Sequence, residues 1–238
     1  MRLSKRIIGT VAYLGGLPST FESFTWAWGQ LVAFNTEFVC DAAQGEIIHY
    51  DKARVSLHDV ARNNLATTML GDWLVQLDTD HSFDPDLVAR LVLYADRYGL
   101  DVVTANYRHR FGPQGPVLYL WNEDATACVP MTGEFFDPSG EKVVPPVVRI
   151  GSAGGGCLFV RRAVFDRIRD ELHEDPFTRY DRYGEDHAFF HRCHRLDIPV
   201  YALPRVESYH LRIDPMAMAD YAVASGVPVL TRDVEGRA

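Results

Sequence analysis

Cysteine is scarce in this chain of 238 residues: Cys40, Cys128, Cys157 and Cys193 are scattered, and no two are spaced as CxxC. That pattern indicates neither a zinc ribbon nor a disulfide framework, and a reducing cytoplasmic setting is the expected compartment. Positive charge is also short, with 24 Lys and Arg against 32 Asp and Glu, for a net charge of −8. This balance opposes nonspecific binding to nucleic acid or anionic lipid, and a small anionic ligand would need local cations or a metal. No apolar run approaches the length of a membrane span, so none is expected. The stretch Ile7 to Leu17 behind Arg2, Lys5 and Arg6 mimics a signal peptide. Gly9, Thr10 and Gly15-Gly16 break it, and no small-x-small site follows before Phe21 and Trp26, so it reads as a first strand. Nothing resembling a linker divides the chain, and one domain is expected. With 47% hydrophobic and 24% charged residues, a sizeable core is assured.

What is present gathers around Trp73-Leu74-Val75-Gln76-Leu77-Asp78-Thr79-Asp80. The apolar run fits a central strand of a parallel sheet with both faces covered, and ligands collect where such strands end. Side chains at i and i+2 of extended chain point the same way, so Asp78 and Asp80 can converge on one hard cation or one polar ligand. A calcium loop is disfavoured, because its sixth position is Phe83 where glycine is needed and its twelfth is Ala89 where glutamate is needed. Asp84-Pro85-Asp86 is expected to cap and open an amphipathic helix through Leu87, Leu91, Val92 and Ala95.

Along the rest of the chain, Arg6 to Leu14 reads as a strand, Gly15 to Ser19 as a turn, Phe21 to Phe34 as a helix and Glu46 to Tyr50 as a strand. Residues 54 to 70 form a helix with Arg62 and Asn63 near its middle, and Asp101 to Tyr107 is a further strand. Prolines punctuate 111 to 150 into hairpins and loops. Gly154-Gly155-Gly156 leads into a strand at Cys157-Leu158-Phe159-Val160; no Lys-Ser or Lys-Thr follows, so this is not a phosphate loop of the Walker type. These glycines either let backbone approach something closely or permit a bend. Ala163 to Leu172 reads as a helix, and Tyr183-Gly184-Glu185-Asp186-His187 opens another that runs to about Leu196. Val200 to Leu203 and Val206 to Tyr209 are short strands. His187, His191 and His194 share a helical face, but Arg192 and Arg195 beside them disfavour a zinc site, and surface roles are expected. Tyr107, Phe111, Tyr119 and Trp121 read as core aromatics first and as a sugar-stacking platform second.

The Ala61-Arg62-Asn63 helix, the Asp78-Thr79-Asp80 strand end, the Gly154 to Leu158 strand start, Gly184-Glu185-Asp186 and a late His210 together span most of residues 6 to 212. In this order the chain resembles a GT-A-fold glycosyltransferase of the family 2 type. The resemblance implies an α/β fold: a single GT-A, Rossmann-like domain over 1–238, with a mostly parallel central sheet flanked by helices and a small antiparallel hairpin region. It further implies a nucleotide-binding half at about 1–105, an acceptor and catalytic half at about 106–212, and a C-terminal tail at 213–238. The implied partners are a nucleoside-diphosphate sugar donor and an acceptor of unknown kind, whether glycan, protein or small molecule. On this reading Asp78 faces the donor ribose or a metal, Asp80 and His210 ligate a divalent metal, and Asp186 sits beside the acceptor hydroxyl.

The chemistry asks for such residues independently. Charge builds on a departing diphosphate, and Mn²⁺ or Mg²⁺ would offset it; an imidazole ligand favours Mn²⁺. Arg62 or Arg212 can add positive charge on the donor side, and Gly155 allows close approach of backbone. A carboxylate beside the acceptor hydroxyl can take its proton. Asp186 is the first candidate for this base and Glu185 the second, with helix capping the rival role for both. The expected enzyme is a hexosyl- or N-acetylhexosaminyl-transferase. Two alternatives stay open: a sugar-phosphate nucleotidyltransferase, disfavoured because no basic residue lies in Leu14 to Ser19, and a noncatalytic nucleotide-sugar-binding module. The segment 214–238 is expected either to fold over bound donor or to pack as a terminal helix.

Overall fold

The computed structural model describes residues 6–14, 22–40, 45–53, 57–109, 115–131, 135–136, 141–180 and 182–211. The turn expected at 15–19, Phe111, Arg212 and the tail at 213–238 lie outside the described residues. In chain order the elements are β1 (Arg6–Leu14), α1 (Glu22–Phe38), β2 (Glu46–Ala53), α2 (His58–Thr68), β3 (Trp73–Leu77), β4 (His81–Phe83), α3 (Leu87–Tyr98) and β5 (Val102–Asn106). There follow β6 (Leu118–Trp121), β7 (Cys128–Pro130), β8 (Phe135–Phe136), β9 (Lys142–Val143), β10 (Val148–Ile150), β11 (Ser152–Ala153) and β12 (Cys157–Arg161). The described chain ends with α4 (Arg162–Leu172), α5 (Glu185–Arg195) and β13 (Val200–His210).

One sheet organises the molecule, with strand order β10-β13-β5-β12-β3-β1-β2 and β4 added on β13. Strands β1, β2, β3, β5 and β13 run one way, while β12 lies antiparallel between β3 and β5. The sheet is therefore mostly parallel in direction, but β3 has a parallel partner on one side only. All five residues of β3 are buried. Its alternate side chains feed two apolar layers, Leu74 packing toward α2, α4 and α5, and Val75 and Leu77 toward α1 and α3. Period-2 alternation thus places a helical layer on each face. A second, three-stranded antiparallel sheet, β11-β6-β7, stands beside the first, and β8 pairs with β9.

Two local expectations need correction. Helix α3 starts at Leu87, after a turn closed by the Leu87 N–H donating to the Asp84 carbonyl at 3.1 Å. Asp84 does not cap it; Asp86 precedes the first helical residue without a side-chain cap and instead accepts from Arg90 at 2.8 Å, one turn on. The two short strands expected at 200–203 and 206–209 are one strand, β13, whose pairing with β5 shifts register between Leu203 and Glu207. Pro204 lies inside that irregularity, where a missing N–H breaks no ladder bond.

Candidate functional site

The C-terminal ends of β3 and β13 meet at the top of the sheet through a short strand. Chain leaving β3 turns at Thr79-Asp80 and re-enters as β4, which pairs antiparallel with β13 so that His81 lies opposite His210. The Leu211 N–H donates to the Asp80 carbonyl at 2.7 Å, extending the ladder by one bond. Asp80, His81 and His210 are thereby gathered, with ligand atoms all within 4.8 Å of one another. His210 Nδ1 stands 2.7 Å from the Arg108 carbonyl, an acceptor only, so Nδ1 carries the proton and Nε2 presents a lone pair. His81 is fully buried, with Nδ1 2.9 Å from Ser208 Oγ. The Tyr107 ring lies edge-on to both imidazoles, at 4.8 and 5.2 Å between centroids. A carboxylate and two imidazoles form a donor set suited to manganese or another first-row divalent ion.

Asp78 lies outside that group of three. Because β3 ends at Leu77 and the next residues turn, the alternation of extended chain no longer aims Asp78 and Asp80 at one point. Asp78 instead accepts from Arg62, Nη2 to Oδ1 at 2.8 Å. Arg62, expected as a donor-side cation, is 2% exposed and held on all sides. Its Nη1 donates to Gln76 Oε1 at 3.1 Å and to the Gly155 carbonyl at 3.0 Å, and its Nε lies 3.7 Å from Glu185 Oε1. A Cβ on Gly155 would stand 2.6 Å from Nη2, and one on Gly156 would stand 2.5 Å from His81 Nε2. The glycines before β12 thus serve close approach, by side chains of this chain: one seats the arginine and the next seats the histidine.

Glu185 and Asp186 open α5, behind Gly184 as the residue preceding the helix. Burial alone would push the Glu185 carboxyl up; the His58 hydrogen bond and the Arg62 charge overcome it and hold it at about 2. Asp186 Oδ1 accepts the His187 N–H at 2.7 Å, a first-turn amide with no partner inside the helix. Asp78, Arg62, Gly154, Gly155, Gly156, Glu185, Asp186 and His210 all line one open cleft of about 360 Å³, together with His58, Tyr107, His109 and Val117. The fold therefore brings together every described site residue expected from sequence except Asp80, which adjoins the cleft-lining His210. His81, His58 and His109 are additions. His81 directly follows the acidic pair and is a ligand-type residue, so its signal was adjacent; His58 and His109 carry no local pattern.

The other histidines take separate partners. His187 Nδ1 is 2.6 Å from Ser152 Oγ, His191 packs between Tyr180 and Tyr183, and His194 lies near Trp121. The group of ligand-type side chains found among the described residues is that of Asp80, His81 and His210. Tyr107 is buried, as expected of a core aromatic, and its hydroxyl accepts the Gly156 N–H at 2.9 Å. No described helix is long and apolar enough to cross a membrane.

Comparison with known proteins bears on this geometry. Two solved structures share the architecture: A197 from STIV, 20% identical, with a TM-score of 0.51 over 86% of each chain, and GalNAc-T7, solved with UDP, GalNAc and Mn²⁺, 13% identical, with a TM-score of 0.57. The second likeness covers 88% of this chain and 45% of GalNAc-T7, so this chain spans less than half of that one. At these identities the likeness establishes the GT-A fold. No curated protein sequence matches the chain. The family model for glycosyl transferase family 2 matches residues 35–169, taking in Arg62, Asp78, Asp80 and the three glycines and stopping before Asp186 and His210. Since that match covers more than half of the chain, the protein belongs to glycosyl transferase family 2, a family of glycosyltransferases.

Proposed function

We propose that the chain moves a hexosyl or N-acetylhexosaminyl unit from a nucleoside-diphosphate sugar to an acceptor hydroxyl, in a reaction that depends on Mn²⁺ or, less well, Mg²⁺. The observation that carries this reading is the grouping of Asp80 and His81 with His210, which itself lines the cleft that also holds Asp186. The carboxylate and the Nε2 lone pair of His210 would hold the ion, and bound there it would offset charge on the departing diphosphate. GalNAc-T7, solved with UDP and Mn²⁺, lends support to this donor class and metal.

Asp78, fixed by Arg62 and apart from the ligand group, suits the donor ribose better than the metal. Arg62 then acts on the donor through Asp78, and Gly155 leaves it room. Arg212, outside the described residues, is retained as a donor-side cation. Asp186 is the proposed base: it takes the acceptor proton as the new bond forms. Glu185 is the weaker candidate, because a carboxylate held at about 2 and tied to His58 and Arg62 is a poor proton acceptor at neutral pH. The division into a donor half at 1–105, an acceptor half at 106–212 and a tail at 213–238 belongs to the same proposal. A panel of nucleoside-diphosphate sugars assayed with Mn²⁺ tests the reading. Hydrolysis or transfer should stop on chelation and return with Mn²⁺. Full activity in excess chelator would overturn the roles of Asp80 and His210, and donor binding without turnover would overturn that of Asp186.

A further inference from the structure

Helix α5 faces two cavities. Its first turn lines the cleft, and one turn on, about 6 Å along the axis from His187 at 1.5 Å per residue, His191 lines a second cavity of about 450 Å³. Asp124, Tyr180, Arg182, Tyr183, His191 and Arg195 contribute to its wall. Among its described residues the wall carries two arginines and one aspartate, in a chain whose net charge is −8. Arg182 is exposed and has no ion-pair partner among the described residues, while Arg195 is partly neutralised by Glu174 at 2.6 Å. The wall is also aromatic. Tyr183 stacks obliquely on His191 at 5.5 Å, and Trp121 meets both rings from behind. Trp121 Nε1 and His191 Nδ1 are buried polar atoms without a hydrogen-bond partner among the described residues. Of these two residues His191 lines the cavity, and a buried polar atom in that state calls for a polar partner.

We propose that this cavity is the subsite for an acidic sugar unit of the acceptor, a hexose bearing a carboxylate or a phosphate. The inference rests on the glycosyl-transfer reading above, which places the acceptor hydroxyl at Asp186, three residues after Tyr183. Tyrosine faces suit the apolar face of a sugar ring, arginine forks suit a carboxylate or phosphate, and the unpaired His191 nitrogen suits a hydroxyl. The surrounding charge has a second signature: burial first, then Arg195, His194 and Arg192, hold His191 below its ordinary value, outweighing Glu174. His191 therefore stays neutral near pH 7, and its Nδ1 is available for hydrogen bonding to a ligand rather than to solvent.

Three probes decide the matter on the intact chain by titration calorimetry: methyl glucuronide, glucose 6-phosphate and methyl glucoside. At least one acidic probe should bind about tenfold more tightly than the neutral one, the scale of one charge-assisted hydrogen bond. Whichever acid wins identifies a carboxylate or a phosphate as the natural group. Arg182→Gln should erase the preference while leaving affinity for UDP with Mn²⁺ unchanged, since Arg182 lies outside the cleft. Equal binding of all three probes, or a preference that survives Arg182→Gln, overturns the subsite. Absence of UDP binding by the wild-type chain, with its acid preference present, would count against the transfer reading, and with it the acceptor role, while leaving an anion site in place.

Discussion

Asp78 and Asp80 are two residues apart, yet the fold gives them opposite surroundings. Asp78 belongs to a closed assembly in which Arg62, 2% exposed, joins Asp78, Gln76, the Gly155 carbonyl and Glu185. Asp80 belongs to a group of imidazoles set by the β4–β13 ladder. The first is a charge neutralised by an arginine, which favours rigidity; the second gathers lone pairs, which favours an ion. One sequence motif therefore feeds a structural lock through Asp78 and a ligand-type group through Asp80. Asp186 lines the same cleft as Asp78 and His210, on α5, beside the locked Glu185.

The sharpest way to break this comparison is at Asp186. If it is the base, Asp186→Asn should lower transfer by roughly 10²- to 10⁴-fold while donor affinity and thermal midpoint barely change. Asparagine can still accept the His187 N–H, so a capping role alone would leave activity near wild type. Steady-state rates, donor titration and a melting curve on this one variant separate the outcomes.

Removing the arginine tests the lock. Arg62→Leu leaves Asp78 and Glu185 facing each other without their shared cation, and should cost about 3 kcal/mol of stability. That is the lower end of the range for breaking a buried pair, because Asp78 keeps 25% of its side chain exposed. Metal titration by the remaining protein should be unchanged. A metal midpoint that moved with Arg62 would merge the two sides into one network, contrary to the comparison.

How much of this was legible in the sequence follows from range. Strand β1 and the buried run of β3 were readable from local pattern, as were α4 and α5 to within a residue or two, because apolar periodicity and short-range signals specify them. The antiparallel insertion of β12 was not, since direction is set by a connection of some fifty residues through hairpins. Strand β4, three residues long, is too short for periodicity, and with it went the pairing of His81 with His210. The Arg62–Asp78 bond joins residues 16 apart on different elements, and the Arg62–Glu185 approach joins opposite halves of the chain. No helix or strand pattern encodes either. Of the candidate residues that are described, all but Asp80 line one cleft, since carboxylate, histidine and glycine at strand and helix ends gather where the strands end.

On the imidazole side a smaller effect is expected. His210→Ala removes one ligand of three from a half-buried position, so it should raise the Mn²⁺ concentration needed for activity by at least an order of magnitude, roughly 10- to 100-fold, with little change in melting temperature. Ser208→Ala, which removes the hydroxyl beside His81 Nδ1, should move the same midpoint less. An unshifted metal titration in His210→Ala would make this histidine structural, and the contrast between Asp78 and Asp80 would then lose its second term.

The smallest effect sharpens the lock from its rim, where His58 Nδ1 lies 3.5 Å from Glu185 Oε1. Glu185 is held at about 2, below its ordinary 4.5, so the unfolded chain binds the extra proton between these values. Its contribution is present above about 4.5 and is lost as pH falls toward 2. His58 is shifted the other way, raised from 6.5 first by the Glu185 hydrogen bond against the opposing pull of burial. Its contribution is present below 6.5 and is lost as pH rises through the higher folded value. The pair is therefore most stabilising between 4.5 and 6.5. With 60% of the His58 side chain exposed, solvent screening limits the gain to roughly a few tenths of a kcal/mol. Urea midpoints of wild type and His58→Gln, taken from pH 4 to 9, should differ most near pH 5 to 6 and converge on the alkaline side. A difference that stayed constant across that range would assign His58 to packing, and the lock would then rest on Arg62 without its rim.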